Sequence, residues 1–366
     1  MPTSLYRRSL DSMAPPRGGV VAAADAGGPA SAATFAARHR AVALVAVGLT
    51  AIIVSALAAG PALAADPTRP TDTTGIGMLP RRTAEPAPTV PGAPACPIFP
   101  TTNVWNVRID ARPKVANSAT MISAIGLDRG LHMDFGSYAG YGIPYQVVTA
   151  STPRSTVIFE YDDESDHVGY PIPTNPKIEG GSDRHILMVD KDACRLYELF
   201  AAEKDGSQWY AGSGATWDLR SNALRPAGWT SADAAGLPIL PGLVRYDEVD
   251  AGVIRHALRF TTNRTRKAYI YPARHYASDS TSTSLPPMGL RVRLKASYDT
   301  SDLSPHARTI AEALKRYGMI LADNGSPWYI SGASDPRFDD DVLHELDVIT
   351  GRDLEVVDTT GLVNGA

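Results

Sequence analysis

Two histidines stand at strand-like spacing among apolar residues. In GVIRHALRF, His256 shares a period-two face with Leu258 and Phe260, while Arg255, Ala257 and Arg259 share the other. His185 repeats the pattern in RHILMVD, in line with Leu187 and Val189. An imidazole so placed is either a buried ring whose nitrogens satisfy a neighbouring polar group, or a catalytic base tuned by burial. His256 reads first as a core residue and second as a catalyst, and His185 follows it.

The opposite strand face carries cations. Arg255 and Arg259 recur at the strand period, and so do Arg291, Arg293 and Lys295 in LRVRLKA. As neighbours, these strands would present a surface suited to carboxylates or sulfates, because guanidinium forks bind them bidentately; Arg293 is then a ligand-binding candidate. Apart, the same residues form a solvated face paired with Asp and Glu.

The stretch 212–242, GSGATWDLRSNALRPAGWTSADAAGLPILPG, has little periodicity yet concentrates Trp217, Asp218, Arg220, Asn222, Arg225 and Trp229. It is too aromatic for disorder. Long irregular segments inside a compact unit serve either as binding loops or as packed lids. Trp217, Asn222, Arg225 and Trp229 are the candidates for stacking on and hydrogen-bonding a sugar. Asp218, with Asp190 or Glu198, is the candidate carboxyl pair for hydrolysis.

Other clusters have simpler explanations. DDESD (162–166) lacks the loop glycine of an EF-hand. Asp339, Asp340 and Asp341 suit a helix N-terminus, and Asp323 suits a turn. There is no HExxH, CxxC or HxH, so neither a metal site nor a cofactor is expected.

The elements that must position these residues are mostly strands. TVIFEY (156–161), RHILMVD (184–190), CRLYELFAA (194–202), VIRHALRFTT (253–262), KAYIYP (267–272) and GLRVRLKAS (289–297) are rich in β-branched and aromatic residues between turn formers. RHILMVD and CRLYELF read as a hairpin, and MILAD and PWYIS as another joined by Asn324-Gly325. Helical spacing marks 116–126, then SPHARTIAEALKRYG with Pro305 at its first turn and Gly318 as its stop, and VLHELDVITG behind the three aspartates. The expected fold is mainly β: an antiparallel β-sandwich, jelly-roll-like, with two peripheral C-terminal helices.

The runs GLPILPGLVRYDEVDAGVIRHALRF, PPMGLRVRLKA and KRYGMILADNGSPWYISG resemble a group of exported bacterial β-rich proteins. The resemblance spans most of Cys96 to Asp358 and implies a shared fold, with no reaction attached.

The N-terminal part indicates a compartment. A basic flank precedes an uncharged apolar run from Ala41 to Ala59, followed by GPALAA with small residues at 62 and 64. That is an export signal, cleaved after Ala64 or kept as a membrane anchor. Residues 65–95 are Pro/Thr-rich and read as a disordered linker. The sandwich domain is expected over 96–358, ahead of a tail at 359–366. Residues 1–95 hold 8 of the 35 basic and 5 of the 39 acidic residues, leaving 27 and 34 for the remainder. An acidic exported domain makes a poor nucleic-acid binder. The two cysteines, Cys96 and Cys194, lie in the exported part, where a disulfide is the simplest reading and two buried thiols the alternative. The functional expectation is a secreted or surface-anchored protein directed at extracellular polysaccharide or cell wall, as a hydrolase or lyase. The alternatives are a non-catalytic glycan- or wall-binding domain and a structural envelope protein.

Overall fold

A computed structural model of the chain describes residues 85–362. The apolar run 41–59, expected to be an export signal, and most of the expected linker lie outside the described residues. Among the described residues no helix is long and apolar enough to cross a membrane. Packing begins ahead of Cys96: Val90 and Ala93 are buried, and the Ile98 N–H donates to the Pro88 carbonyl. The end of the linker expectation therefore belongs to the folded unit. At the other end, Leu362 joins the core.

The strands, in chain order, are β1 (His132–Asp134), β2 (Tyr145–Val148), β3 (Val157–Phe159), β4 (Ile186–Asp190), β5 (Arg195–Phe200), β6 (Glu203–Asp205), β7 (Gln208–Ala211), β8 (Ser213–Asp218), β9 (Leu258–Thr262), β10 (Arg291–Leu294), β11 (Met319–Asn324), β12 (Tyr329–Ser331) and β13 (Leu354–Val356). The helices are α1 (Ser118–Gly126), α2 (Tyr246–Asp250), α3 (Pro305–Arg316) and α4 (Asp340–His344). The strands form a six-stranded sheet in the order β1-β12-β9-β11-β10-β13, a four-stranded sheet β2-β4-β5-β8 and a three-stranded sheet β3-β7-β6.

The protein is mainly β, with mixed sheets. Antiparallel pairing throughout, the expectation from the sequence, gives way to four parallel pairs: β1 with β12, β9 with β11, β2 with β4 and β3 with β7. The clearest departure is the Asn324-Gly325 turn. A two-residue hairpin of the favoured type needs positive φ at both central residues. Neither residue has it; the left-handed position is Trp328, at φ 63°. The chain instead passes from β11 over β9 to β12 on its other side, so β9 separates the two expected partners. The β4–β5 pair does form as expected, with Asp190 opposite Arg195 and Cys194 turning the chain at φ 49°.

The four-stranded sheet is buried on both sides. Leu187, Val189 and Leu196 join the main core with Leu258 and Phe260. Ile186, Met188, Tyr197 and Leu199 face the other way, against Val157, Phe159 and Trp209 of the three-stranded sheet. This is why β4 reads as an unbroken apolar run rather than an alternation. The Cys96–Cys194 disulfide ties the start of the unit to the β4–β5 turn.

Helix α3 occupies the predicted span and packs on β10. Gly318, at φ 64°, ends it where a Cβ would lie 2.3 Å from the Val292 carbonyl oxygen. Helix α4 is short, and its Asp339 caps it by accepting from the Asp341 and Val342 N–H groups. Two sequence readings change. Residues 267–272 form no strand, and the stretch 212–242 opens with strand β8, whose Trp217 and Asp218 lie opposite Leu196 and Arg195.

Candidate functional site

One face of the six-stranded sheet carries a row of polar residues. Asp134 on β1 is in register with Ser331 on β12. Ser331 Oγ accepts from Arg259 on β9, and Thr261 on β9 is in register with Asp323 on β11. These residues line a cleft of about 350 Å³ with Tyr141, Glu179 and His185, the latter two from the stretch leading into β4.

Arg259 is the pivot. Its Nε and Nη2 donate to the two oxygens of Asp233 at 2.8 and 2.9 Å, and Nη2 also reaches Asp323 at 3.4 Å. Asp233 is wholly buried, so the bidentate pair fixes the guanidinium beneath the cleft floor. Asp323 keeps about a quarter of its side chain exposed. Burial pushes its carboxyl up to about 7; the negative charge of Asp233 adds to this, while Arg259 and the Asn324 N–H oppose it. Asp134 is also raised, first by burial, against the stabilising presence of His132, the Tyr141 hydroxyl and Arg259. The cleft thus holds two carboxyls displaced toward neutrality, three strand positions apart, or roughly 14 Å between backbones.

His185 lies in this cleft as a partner of Glu179. Its Nδ1 is 2.5 Å from the Glu179 carboxylate and its Nε2 3.0 Å from the Ala232 carbonyl. Both ring nitrogens face acceptors, so the ring that satisfies them carries two N–H groups. Burial pushes the His185 pKa down, yet Glu179 outweighs it and holds it above the usual value. With both nitrogens engaged, His185 positions Glu179 and has no free nitrogen to take a substrate proton.

His256 lies elsewhere, just before β9, with 1% of its surface exposed. Its Nδ1 donates to the Ala257 carbonyl at 2.8 Å and its Nε2 meets Glu248 at 3.0 Å; Glu248 also pairs with Arg245 at 2.7 Å. This geometry matches the core reading. The cationic surface does not assemble, because β11 separates β9 from β10. Arg255 pairs with Glu85, Arg293 pairs with Glu355 at 2.7 Å, and Lys295 donates to the Arg352 carbonyl. Arg291 donates to the Tyr317, Val104 and Val107 carbonyls, and burial lowers its pKa to about 9.

Trp217, Asp218, Arg225 and Trp229 do come together, around a second cavity of about 560 Å³. Arg225 lies 5.8 Å from the Trp217 ring centre and 5.5 Å from that of Trp229. Its donors are spent on Asp166 at 2.8 Å and on the Thr230 and Glu164 carbonyls, so it staples the loop to residues 164–166. Asn222 likewise ties the loop down, through Thr102 and Asn103. Asp218 is exposed and accepts the Arg220 N–H. Of its suggested partners, Asp190 is fully buried and held by Arg154. Glu198 points into the other sheet face, accepting the Ile239 and Leu240 N–H groups.

Sequence reading passed over Asp134, Glu179 and Asp233, assigned Asp323 to a turn, and took Arg259 only as one of a set. The available signal was an acid interrupting an apolar strand, as in MILAD and HMD; only pairing across β9 and β12 turns those acids into one cleft. No group of three or more His, Cys, Asp or Glu residues suited to a metal ion occurs among the described residues. Comparison of the chain with protein-family models, curated proteins and solved structures finds no match.

Proposed function

We propose that this is an exported glycoside hydrolase acting on extracellular polysaccharide, with the Asp134–Arg259–Asp323 cleft as its active centre. The observation that carries the reading is that Asp134 and Asp323 line one cleft, with Asp323 lifted to about 7 and braced by a guanidinium that Asp233 immobilises. A general acid works best with a pKa near the working pH. Asp323 donates its proton to the leaving oxygen as the glycosidic C–O bond breaks. Asp134 takes a proton from the water whose oxygen forms the new bond to the anomeric carbon. A uronate lyase is less well supported, because four of the five Arg259 N–H groups are engaged by Asp233, Asp323 and Ser331 and its charge is already paired with Asp233.

Export through residues 41–59 is part of the proposal, supported by the sequence pattern. Layering of the four-stranded sheet between the two others supports a sandwich-type arrangement. A second reading, a non-catalytic glycan-binding domain, draws on the Trp229-edged cavity of about 560 Å³.

The test is hydrolysis of a polysaccharide panel by the exported chain and its Asp323→Asn variant. Reducing-end release by the parent, reduced at least 100-fold in the variant with binding retained, is expected. Equal release by both proteins would overturn the assignment.

A further inference from the structure

A third cavity, of about 430 Å³, lies beside edge strand β2 and is lined by segments 144–147, 245–247 and 333–335. Its lining residues follow those of the charged cleft in the sequence: 140–143, 179–183, 185 and 331 line the cleft, and 144–147, 177 and 333–335 line this cavity. Two of its side chains hold buried donors without a partner. Gln146 uses its amide oxygen to accept the Lys177 N–H at 2.9 Å, which fixes which end of the amide is left; its Nε2 meets no acceptor. Arg245 is fully buried, with Nη1 on the Leu240 and Leu243 carbonyls and Nη2 beside Glu248, while its Nε meets none. Unsatisfied buried donors are destabilising and call for an explanation.

We propose that this cavity is a subsite for an acetamido sugar. The class follows from the groups on its walls. A carbonyl oxygen is what the Gln146 Nε2 and Arg245 Nε donors lack. Asp247, whose carboxyl is half-buried and raised chiefly by that burial, offers an acceptor for an amide N–H. Pro144, Tyr145 and Tyr246 supply apolar surface for a methyl group and a pyranose face. The unpaired donors favour an acceptor, and with Asp247 and Asp335 set against Lys177 and Arg245 the walls carry no net charge to draw an anion. The inference rests on the glycoside reading above: the polysaccharide cleaved at Asp323 would be one that carries N-acetylhexosamine units.

The experiment uses saturation-transfer NMR and calorimetry on the exported chain with N-acetylglucosamine oligomers, their deacetylated counterparts and glucose oligomers as probes. The expected result is strongest saturation at the acetyl methyl protons and binding at least tenfold weaker for the other two probes. Gln146→Leu should weaken the acetylated probe about tenfold and leave the glucose oligomer unchanged. Asp247→Asn, a milder change, should weaken the same probe if Gln146→Leu does not fold. Equal binding of acetylated and deacetylated oligomers, or no effect of either substitution, would overturn the subsite. Cleavage of any probe in an Asp323-dependent way without acetyl preference removes the subsite alone. Acetyl-selective binding with cleavage untouched by Asp323→Asn removes the active-centre reading alone.

Discussion

Replacing Asp233 with Asn tests the brace under the cleft. Both Asp233 oxygens receive Arg259, at 2.8 and 2.9 Å, and neither partner has appreciable contact with water. Removing one member of a buried pair costs about 3–5 kcal/mol because the other charge is left uncompensated. Asn keeps one acceptor, and Asp323 stands 3.4 Å from the same guanidinium, so the low end, about 3 kcal/mol, is expected. For the roughly 280 described residues, unfolding entropy is about 0.6 kcal/mol per kelvin, so the melting temperature falls by about 5 °C. The site should respond as well. Asp233's charge helps raise Asp323, and Arg259 opposes it. Neutralising Asp233 lowers the Asp323 pKa, so the alkaline limb of the proposed hydrolysis moves from near pH 7 to lower pH. Scanning calorimetry at pH 7 and a pH–rate series read the two effects. The double variant Arg259→Met/Asp233→Leu, which removes both charges, should recover most of the lost stability while remaining inactive. A variant melting within 1 °C of the parent with an unmoved alkaline limb would refute the reasoning.

Two further outcomes concern the scaffold. Burial raises Glu198 to about 7 from an ordinary 4.5, against the Leu240 and Ile239 N–H groups, so the folded state holds this proton more tightly than the unfolded chain does. Stability from this group is therefore full below about pH 4.5 and is lost as pH rises through 7, about 3 kcal/mol in all. Glu198→Gln keeps one oxygen for both N–H donors and should stabilise at pH 8 with little effect at pH 4, as read by urea denaturation. Replacing Cys96 and Cys194 together with Ala opens a loop of 98-residue separation. The chain-entropy relation gives a loss of about 4.7 kcal/mol, a fall of about 8 °C by calorimetry at the entropy used above; a change under 2 °C would contradict it.

By itself the sequence determined the features that depend on near neighbours. Helix α3 runs between Pro305 and Gly318 because a fixed φ starts it and a left-handed residue ends it. The β4–β5 pair forms around a tight turn, and Cys96 and Cys194, the two cysteines of the sequence, join as a disulfide. It also marked Trp217, Arg225 and Trp229 as companions, since the segment containing them is short enough to fold on itself. Only the tertiary structure decided that β9 lies between β11 and β12, a choice made by burial of Phe260 and Ile330 on one sheet face rather than by the Asn324-Gly325 dipeptide. That choice gathers Asp134, Glu179, Arg259 and Asp323, spread over 190 positions, into one cleft, with Asp233 buried beneath it against Arg259. Strand order is set by which apolar faces meet across the whole molecule, and no local spacing carries that information.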